Sequence, residues 1–301
     1  MAMDTSAPLR TRNGAFKGRG RNYVALLRCP VDGGRLGWRD DGALGCERDA
    51  AHVYPFEGGI LRLYPSERRA QMDALTAEHE AACAAAGWAV PDEAAFKSLP
   101  QTPLAGYPEG HWEQWAEATA LLWRYLEAVR LARGELPIAP LGEVAVLNAG
   151  MGWLAYALDV AGYTTLALDA RAGARYGLGA YPIARYFRVQ TDPAAFPLAR
   201  AAFDWVIFQE GLAPFGDVAA QREALRRAAD VLRVGGGVVV MAALEPRAEA
   251  IEAARELLGE VGLQPLEARR RGWQGRLQDL AERAPWRSQE APPLAVAQKR
   301  A

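Results

Sequence analysis

The sequence predicts an α/β fold: a doubly wound, mostly parallel sheet of seven strands, preceded by a small β-rich module and a helical linker. Short apolar runs alternate with helical patterns from Val144 onward. A glycine-containing turn at 148–152 joins the first of these runs to a helical pattern. Turn signals divide the first 65 residues into short apolar segments. We therefore expect four parts: a disordered segment 1–22, a β-rich module 23–65, a helical linker 66–103 and an α/β domain 104–301.

Composition narrows the class of protein. Half of the 301 residues are apolar, so the chain can bury a large core, and the net charge of −1 provides no general attraction to nucleic acid or membranes. No apolar run approaches the roughly 18 residues of a membrane-spanning helix. Residues 1–22 are polar and basic and lack the apolar segment of a secretory signal. A cytoplasmic location is the resulting expectation.

The β-rich module at 23–65 contains two of the three cysteines, Cys29 and Cys46. An apolar strand runs into a knuckle-like turn at 29–34, a hairpin turn follows at 40–42, and apolar residues at 52–63 complete the module. These residues resemble the small zinc-ribbon-like modules, similar to the methyltransferase activator Trm112, that precede some bacterial methyltransferase domains. The third cysteine, Cys83, lies in an alanine-rich helical pattern and is expected to be a small buried hydrophobic residue.

The resemblance places the four ligands of such a ribbon at Cys29, Asp32, Cys46 and Asp49, with His52 just beyond. Structural zinc sites prefer four nitrogen or sulfur ligands. A set of two cysteines, one aspartate and one histidine is conceivable. The two aspartates favour a module held together by its apolar strands, so the sequence-based expectation is that it binds no metal.

The linker and the start of the α/β domain are predicted to be helical. Helical patterns cover 67–86 and about 109–133, and the second of these carries a stripe of tryptophans and leucines. Tyr107 and His111, near its start, would either cover a ligand or pack in the core. Tyr176 and Tyr181, in a glycine-rich segment, allow the same two interpretations. For both pairs packing is the favoured one.

Strands and helices then alternate through the α/β domain. The second predicted strand ends at Asp169 and the third at Thr191-Asp192. A tight turn at 233–237 precedes the fifth strand. The predicted strands are 144–147, 165–168, 186–190, 203–209, 238–241, 263–268 and 294–298, and the predicted helices are 153–161, 218–232 and 247–261.

The glycine turn and Asp169 together form the pattern of a nucleotide-binding βαβ unit. Gly150 and Gly152 let the backbone approach a ligand, and the helix that begins at once presents unpaired N–H groups. Asp169 ends the second strand, where a carboxylate accepts hydrogen bonds from ribose hydroxyls.

Residues about 104–301 resemble the class I S-adenosylmethionine-dependent methyltransferases, which have a Rossmann-like fold. The glycine turn, Asp169, the run 203–207 and the L-R-x-G-G pattern at 232–236 carry the resemblance. It implies S-adenosylmethionine as cofactor and a small molecule as methyl acceptor. Glu210, just past the fourth strand, would be the catalytic base or substrate anchor. The residues implied to bind the cofactor are Asn148, Ala149, Gly150 and Gly152 at its methionine and ribose, Asp169 at its ribose, Ala170 and Thr191 or Asp192 at its adenine, and Gln209 near its methyl group.

Departures from the family pattern support an alternative function. Val146 stands where the family's turn has an acid, and Asn148 stands where it has its first glycine. The segment 211–215 lacks a histidine that relatives often have there. The alternative function is that of a degenerate methyltransferase-like subunit that binds and supports a protein partner. That partner would be another protein or, in a homo-oligomer, a second copy of this chain.

Two further functions are disfavoured. A nicotinamide-dependent dehydrogenase would have a third glycine at the helix start, where this chain has Leu154 and Ala155. Nucleic-acid binding would rest on the arginines at 269–271, but this run is short and flanked by Glu267 and Asp279. We interpret that run as a solvated loop.

Overall fold

The computed structural model describes residues 22–132, 141–181, 185–241, 247–266 and 294–300. Except for Asn22, the predicted disordered segment 1–22 lies outside these residues, as does the basic run at 269–276. Where the structure describes the chain, no helix is both long and apolar enough to cross a membrane.

The described residues form twelve strands and six α-helices. The strands are β1 (Leu36–Trp38), β2 (Leu44–Cys46), β3 (Val53–Tyr54), β4 (Phe56–Glu57), β5 (Ile60–Arg62), β6 (Glu143–Leu147), β7 (Thr164–Asp169), β8 (Phe187–Gln190), β9 (Phe203–Phe208), β10 (Leu232–Met241), β11 (Gln264–Pro265) and β12 (Leu294–Gln298). The helices are α1 (Arg69–Ala85), α2 (Glu93–Ser98), α3 (His111–Ala132), α4 (Trp153–Ala161), α5 (Val218–Val231) and α6 (Arg247–Glu260).

Nine strands make one sheet in the order β11-β12-β10-β9-β6-β7-β8-β5-β4. Strands β10, β9, β6, β7, β8 and β5 pair with one another in parallel. Strand β12 is antiparallel to both β10 and β11, and β4 is antiparallel to β5. The seven predicted strands correspond to β6–β12, and the hairpin of β4 and β5 extends their sheet by two. The predicted α/β class is confirmed.

The sheet has apolar cores on both faces, as a doubly wound arrangement requires. Along β6, Ala145 and Leu147 belong to one core, and Val144 and Val146 belong to the other. Helices α5 and α6 contribute to the first core, and α3 and α4 contribute to the second. Because both faces are covered, the ligand-accessible part of the sheet is its edge at the strand ends.

Strand β10 begins earlier than predicted. The sequence predicts a turn at 233–237, but the structure continues the strand from Leu232, with a shift in register against β9 between Leu232 and Gly237. A Cβ atom on Gly237 would lie 2.4 Å from the Trp205 ring. The glycines therefore form a bulge that lets β10 pass this tryptophan rather than a separate turn.

The N-terminal module contributes to two sheets. Strands β1, β2 and β3 form a small antiparallel sheet, whereas β5 pairs in parallel with β8, placing Leu61 opposite Val189. Leu61 and Leu63 are fully buried in the same core as Leu147. Removing β5 would therefore expose the edge of the main sheet.

We predict that the module and the main sheet unfold together. Leu61→Ala removes a fully buried side chain at their junction, so it should lower the free energy of unfolding by about 2–5 kcal/mol in a single transition. Val160→Ala, on the exposed face of α4, is the control and should change it by less than about 0.5 kcal/mol. Urea denaturation followed by circular dichroism measures both. Two separate transitions, with only the first affected by Leu61→Ala, would contradict the shared core.

Candidate functional site

The turn between β6 and α4 has a left-handed backbone at three alternate residues. Asn148 has φ +52°, Gly150 has φ +54° and Gly152 has φ +83°. Asparagine tolerates this conformation better than other non-glycine residues, so Asn148 replaces a glycine without breaking the turn. Gly152 is required for a second reason, because a Cβ atom there would lie 2.1 Å from the Tyr186 hydroxyl oxygen. The predicted turn therefore forms.

Four side chains follow the carboxyl ends of neighbouring parallel strands. Asn148 follows β6, Asp169 ends β7, Thr191 follows β8 and Gln209 follows β9. The chain order reverses between β6 and β9, and open α/β sheets bind ligands in the crevice at such a reversal. The structure therefore brings together, at one edge of the sheet, residues that the sequence separates by up to 61 positions.

Asp169 is the most constrained side chain at this edge, with 1% of its surface exposed. Its Oδ2 accepts hydrogen bonds from the Gly150 N–H at 2.8 Å and from Arg171 Nη2 at 2.9 Å. Its Oδ1 accepts from the backbone N–H and from Nε of Arg171, both at 2.8 Å. An ionised carboxylate has about four lone-pair sites. All of them are occupied by these donors.

Arg171 also binds Glu210 on the opposite side of the crevice. Its Nη2 lies 2.9 Å and 3.0 Å from the two carboxylate oxygens. Burial lowers the pKa of Arg171, but the two carboxylates outweigh it and raise the pKa above its ordinary value. Burial raises the pKa of Glu210, and Arg171 opposes this shift. The three side chains form one network across the position predicted for the cofactor's ribose.

Sequence reasoning missed Arg171. The available signal was its position two residues after an acid that ends a strand, which allows its backbone N–H and its side chain to fold back on the same carboxylate. Its reach to Glu210 depends on the pairing of β6 with both β7 and β9. That pairing is a property of the fold and not of the local sequence.

Three buried polar atoms at this edge have no hydrogen-bond partner within the described ranges: Asn148 Nδ2, Thr191 Oγ1 and Gln209 Oε1. An unpaired buried polar group costs about 1–3 kcal/mol. Trp112 Nε1 and Thr165 Oγ1 are unpaired as well, but they lie on α3 and near the start of β7. Only the first three atoms follow the carboxyl ends of strands, where a polar ligand could satisfy them.

The remaining residues predicted to bind the cofactor differ in whether their polar groups already have partners within the protein. The Asp192 carboxylate pairs with Arg68 at 2.9 Å, so of the two alternatives for adenine it is Thr191 that has an unpaired atom. The Ala149 N–H donates to the Leu168 carbonyl, which fastens the turn to β7. The Ala170 carbonyl accepts from Gln190 Nε2 at 2.8 Å.

Helix α1 covers the loop that follows Asp169. Thr76 Oγ1 accepts a hydrogen bond from the Ala172 N–H at 3.2 Å. Glu80 Oε1 accepts from the N–H groups of Arg175 and Tyr176 at 2.7 Å and 3.3 Å. The predicted helical linker therefore positions one wall of the crevice, a role that its sequence did not indicate.

The candidate aromatic residues pack among themselves. Tyr107 stacks on Trp88 with ring centroids 4.2 Å apart, and Tyr181 stacks on Phe96 at the same separation. His111 is buried in the first group, and burial lowers its pKa to about 4, which keeps it neutral. The Tyr176 hydroxyl donates to the Trp88 carbonyl at 2.9 Å. These contacts agree with the packing interpretation.

Comparisons with known proteins concern the fold. No family model matches the sequence, and no curated protein matches it. The structure is similar to phosphoethanolamine N-methyltransferase 2 from Haemonchus contortus, solved with phosphomonomethylethanolamine and S-adenosylhomocysteine, at 12% identity and a TM-score of 0.38. That similarity covers 60% of this chain and 53% of the other, so the chain spans about half of that protein's length.

Two further solved structures are similar. The sugar N-methyltransferase KedS8 from Streptoalloteichus has 18% identity and a TM-score of 0.41, with 62% of this chain and 88% of that one covered. A chain in the complex between the Haloferax volcanii Trm112 methyltransferase activator and the putative methyltransferase has 15% identity and a TM-score of 0.38, with 65% and 99% covered. At such TM-scores none of these similarities supports a conclusion about function.

The raised pKa of Glu210 predicts a pH dependence of stability. A carboxyl group with a raised pKa binds its proton more tightly in the folded state, so its contribution is full below the ordinary value of 4.5 and is lost as pH rises through the folded-state pKa. The difference in unfolding free energy between the wild type and Glu210→Gln should therefore fall as pH rises. The expected fall is about 1.4 kcal/mol for each unit by which the pKa is raised.

Glu223 provides the control for this measurement. Hydrogen bonds from Arg226 and Arg227 lower its pKa to about 2. The difference in unfolding free energy between the wild type and Glu223→Gln should change in the opposite direction. It should rise as pH increases from about 2 to 4.5. Urea denaturation across that range and up to about pH 8 tests both variants. Slopes of the same sign for the two variants would contradict the assignment of Glu210.

Proposed function

We propose that this crevice binds S-adenosylmethionine and that the protein transfers its methyl group to a small-molecule acceptor. The observation that supports this most is the set of three unpaired polar atoms beside Asp169, at the carboxyl edge of four parallel strands. The net charge of −1 favours a small acceptor over nucleic acid.

The chemistry of the unpaired atoms fits this cofactor. Asn148 Nδ2 is a donor for a carboxylate such as that of the methionine part. Gln209 Oε1 is an acceptor for the ammonium group, and Thr191 Oγ1 can donate to or accept from an adenine edge. Asp169 is the acceptor for the ribose hydroxyls. Asn148, Thr191 and Asp169 thus have the hydrogen-bonding capacity that their predicted roles need. Gln209, predicted near the methyl group, is here given the ammonium group instead.

Arg171 must release Asp169 before a ribose can bind. All four lone-pair sites of that carboxylate are filled, three of them by Arg171. The guanidinium therefore competes with the ribose for the same oxygens. The ammonium, sulfonium and carboxylate of the cofactor give it a net positive charge, which would offset the loss of the Arg171 charge between Asp169 and Glu210.

The cofactor supplies an electrophilic methyl group on a sulfonium, and the chain supplies position, exclusion of water and a base. Helix α1 holds the loop after Asp169 through Thr76, and the Tyr107 hydroxyl lies 4.0 Å from Met151 Sδ in the turn before α4. Glu210, once free of Arg171, accepts the proton from the acceptor's attacking atom. Its raised pKa brings it closer to neutrality, where a general base is most effective.

The sheet argues against a nicotinamide-dependent dehydrogenase. The dinucleotide-binding order 3-2-1-4-5-6 is parallel throughout. In this protein β12 is inserted antiparallel between β10 and β11, and Leu154 and Ala155 are buried at the start of α4. The antiparallel β12 and the absence of a third glycine at the start of α4 both favour a methyltransferase over a dehydrogenase.

One observation favours the alternative of a non-catalytic subunit. The network of Asp169, Arg171 and Glu210 closes the crevice as it stands, and Val146 replaces the acid of the family's turn. A chain that retained the fold but lost its cofactor would keep such a network as a structural link. The two proposals differ in whether the crevice opens to a ligand.

We predict that Arg171→Ala strengthens the binding of S-adenosylhomocysteine. Removing the competing guanidinium should lower the dissociation constant by about tenfold or more, while the unliganded protein becomes less stable because two buried carboxylates lose their partner. Asp169→Asn, which keeps the shape but removes the charge, should weaken binding by about 10–100-fold. Isothermal titration calorimetry measures the dissociation constants of the wild type, Arg171→Ala and Asp169→Asn.

Arg175→Ala is the matched control, since Arg175 lies in the same loop but points its guanidinium at Tyr176. Its affinity should equal that of the wild type. Absence of binding to both the wild type and Arg171→Ala at millimolar ligand would contradict the proposed function. Binding to Arg171→Ala alone would favour the non-catalytic subunit.

A further inference from the structure

Four side chains with metal-binding atoms converge beside the small sheet of the N-terminal module. Cys29 Sγ, a carboxylate oxygen of Asp32, Cys46 Sγ and a ring nitrogen of His52 all lie within 4.8 Å of one another. Cys29 and Asp32 come from the turn before β1, Cys46 ends β2, and His52 immediately precedes β3. Folding thus gathers them from three segments of the chain.

Three distances between the ligand atoms match those of a tetrahedral zinc site. Zinc binds sulfur at about 2.3 Å, imidazole nitrogen at about 2.0–2.1 Å and carboxylate oxygen at about 2.0–2.2 Å, so tetrahedral ligand pairs are about 3.6 Å apart when one is sulfur and about 3.4 Å apart for nitrogen and oxygen. Cys29 Sγ lies 3.6 Å from His52 Nδ1, and Cys46 Sγ lies 3.4 Å from Asp32 Oδ2. His52 Nδ1 lies 3.4 Å from Asp32 Oδ2.

The backbone holds these ligands in place. The Gly34 N–H donates to Asp32 Oδ1 at 2.7 Å, and the Arg48 N–H donates to Cys46 Sγ at 3.4 Å. A Cβ atom on Gly34 would lie 2.6 Å from Cys46 Sγ, so only glycine allows this approach. The backbone thus orients the Asp32 carboxylate and the Cys46 sulfur toward the same point.

Two further residues support the ligands from outside. Asp49 Oδ2 lies 3.6 Å from His52 Nε2, the ring nitrogen opposite the one that faces the cluster. The Tyr54 hydroxyl lies 3.0 Å from Cys29 Sγ. A carboxylate on the far nitrogen of a ligating histidine is the usual outer partner in zinc sites, where it fixes the orientation of the ring.

We propose that Cys29, Asp32, Cys46 and His52 bind one Zn²⁺ ion in a structural site. The protein supplies all four ligands, which is the arrangement of structural rather than catalytic zinc. The two cysteines are buried, with 2% and 7% of their surfaces exposed. The proposal replaces the sequence-based expectation of a metal-free module, and it assigns Asp49 to the outer position instead of the ligand set.

Such an ion would stabilise one edge of the candidate cofactor site. It would link the turn at 29–34 to β2 and to the start of β3, in the module that also supplies β5. Beyond the ion site, Arg62 and the Tyr64 hydroxyl donate to Gln190 Oε1 at the end of β8. The zinc proposal does not depend on the proposed function, because it concerns the other end of the module.

The metal content of the purified protein tests the proposal. We expect about one zinc per chain by inductively coupled plasma mass spectrometry, in protein prepared without chelators or metal-affinity resin. Cys29→Ser, Cys46→Ser and His52→Ala should lose the metal. Cys83→Ser is the control and should retain the metal, since Cys83 lies in α1 with His79 and forms no such cluster with the other described residues.

Two measurements keep the proposal testable if a ligand variant does not fold. Cobalt-substituted wild type should show the intense thiolate charge-transfer absorption and the visible bands of a tetrahedral site. Asp49→Asn should keep one metal per chain but bind it 10–100-fold more weakly in competition with a chromogenic chelator. The proposal is overturned if the wild type, after removal of metals, binds neither Zn²⁺ nor Co²⁺ with a micromolar or lower dissociation constant. It is also overturned if Cys83→Ser loses metal as Cys29→Ser does.

Discussion

One buried carboxylate links the parts of the candidate site. Asp169 binds the Gly150 N–H and thereby fastens the end of β7 to the turn that starts α4. Through Arg171 it also reaches Glu210, just past β9. A buried charge is stable only when it is paired and hydrogen-bonded, so the conformation of the turn, of the loop after β7 and of the residue after β9 depend on each other. Under the proposed function, a cofactor would enter this network by replacing one of its members.

Arg171 is the member that can be replaced. About a quarter of its side chain is exposed, whereas Asp169 is fully buried, and the Gly150 N–H is part of the turn itself. A cationic ligand restores the positive charge that leaves with the guanidinium. Under the proposed function, the network would close the crevice when no ligand is bound, and it would open when a ligand replaces Arg171.

The N-terminal residues belong to the same mechanical unit as the sheet. Strand β5 extends the sheet beyond β8, Arg68 pairs with Asp192, and α1 holds the loop after Asp169 through Thr76 and Glu80. A structural zinc ion in the small sheet would constrain the chain just before β5. The module and the helical linker thus support the crevice through packing and hydrogen bonds.

Local patterns predicted most of the fold but little of the site's network. The bounds of α4 and β12 agree with prediction, because glycines flank the helix and an uninterrupted apolar run marks the strand. The pairing of β5 with β8 was missed since it joins residues more than 120 positions apart. Other non-local pairings have the same effect: β6 with β7 and β9 positions Arg171 against Glu210. The pairing of β1, β2 and β3 brings His52, rather than Asp49, to the proposed metal ligands.

A crystal structure of the protein with S-adenosylmethionine tests the central claim most directly. The account predicts the ligand at the carboxyl ends of β6, β7 and β9, with its ribose on Asp169 and with the Arg171 guanidinium moved away from that carboxylate. A ligand bound elsewhere, or a bound ligand with the contacts between Arg171 and Asp169 intact, would contradict it.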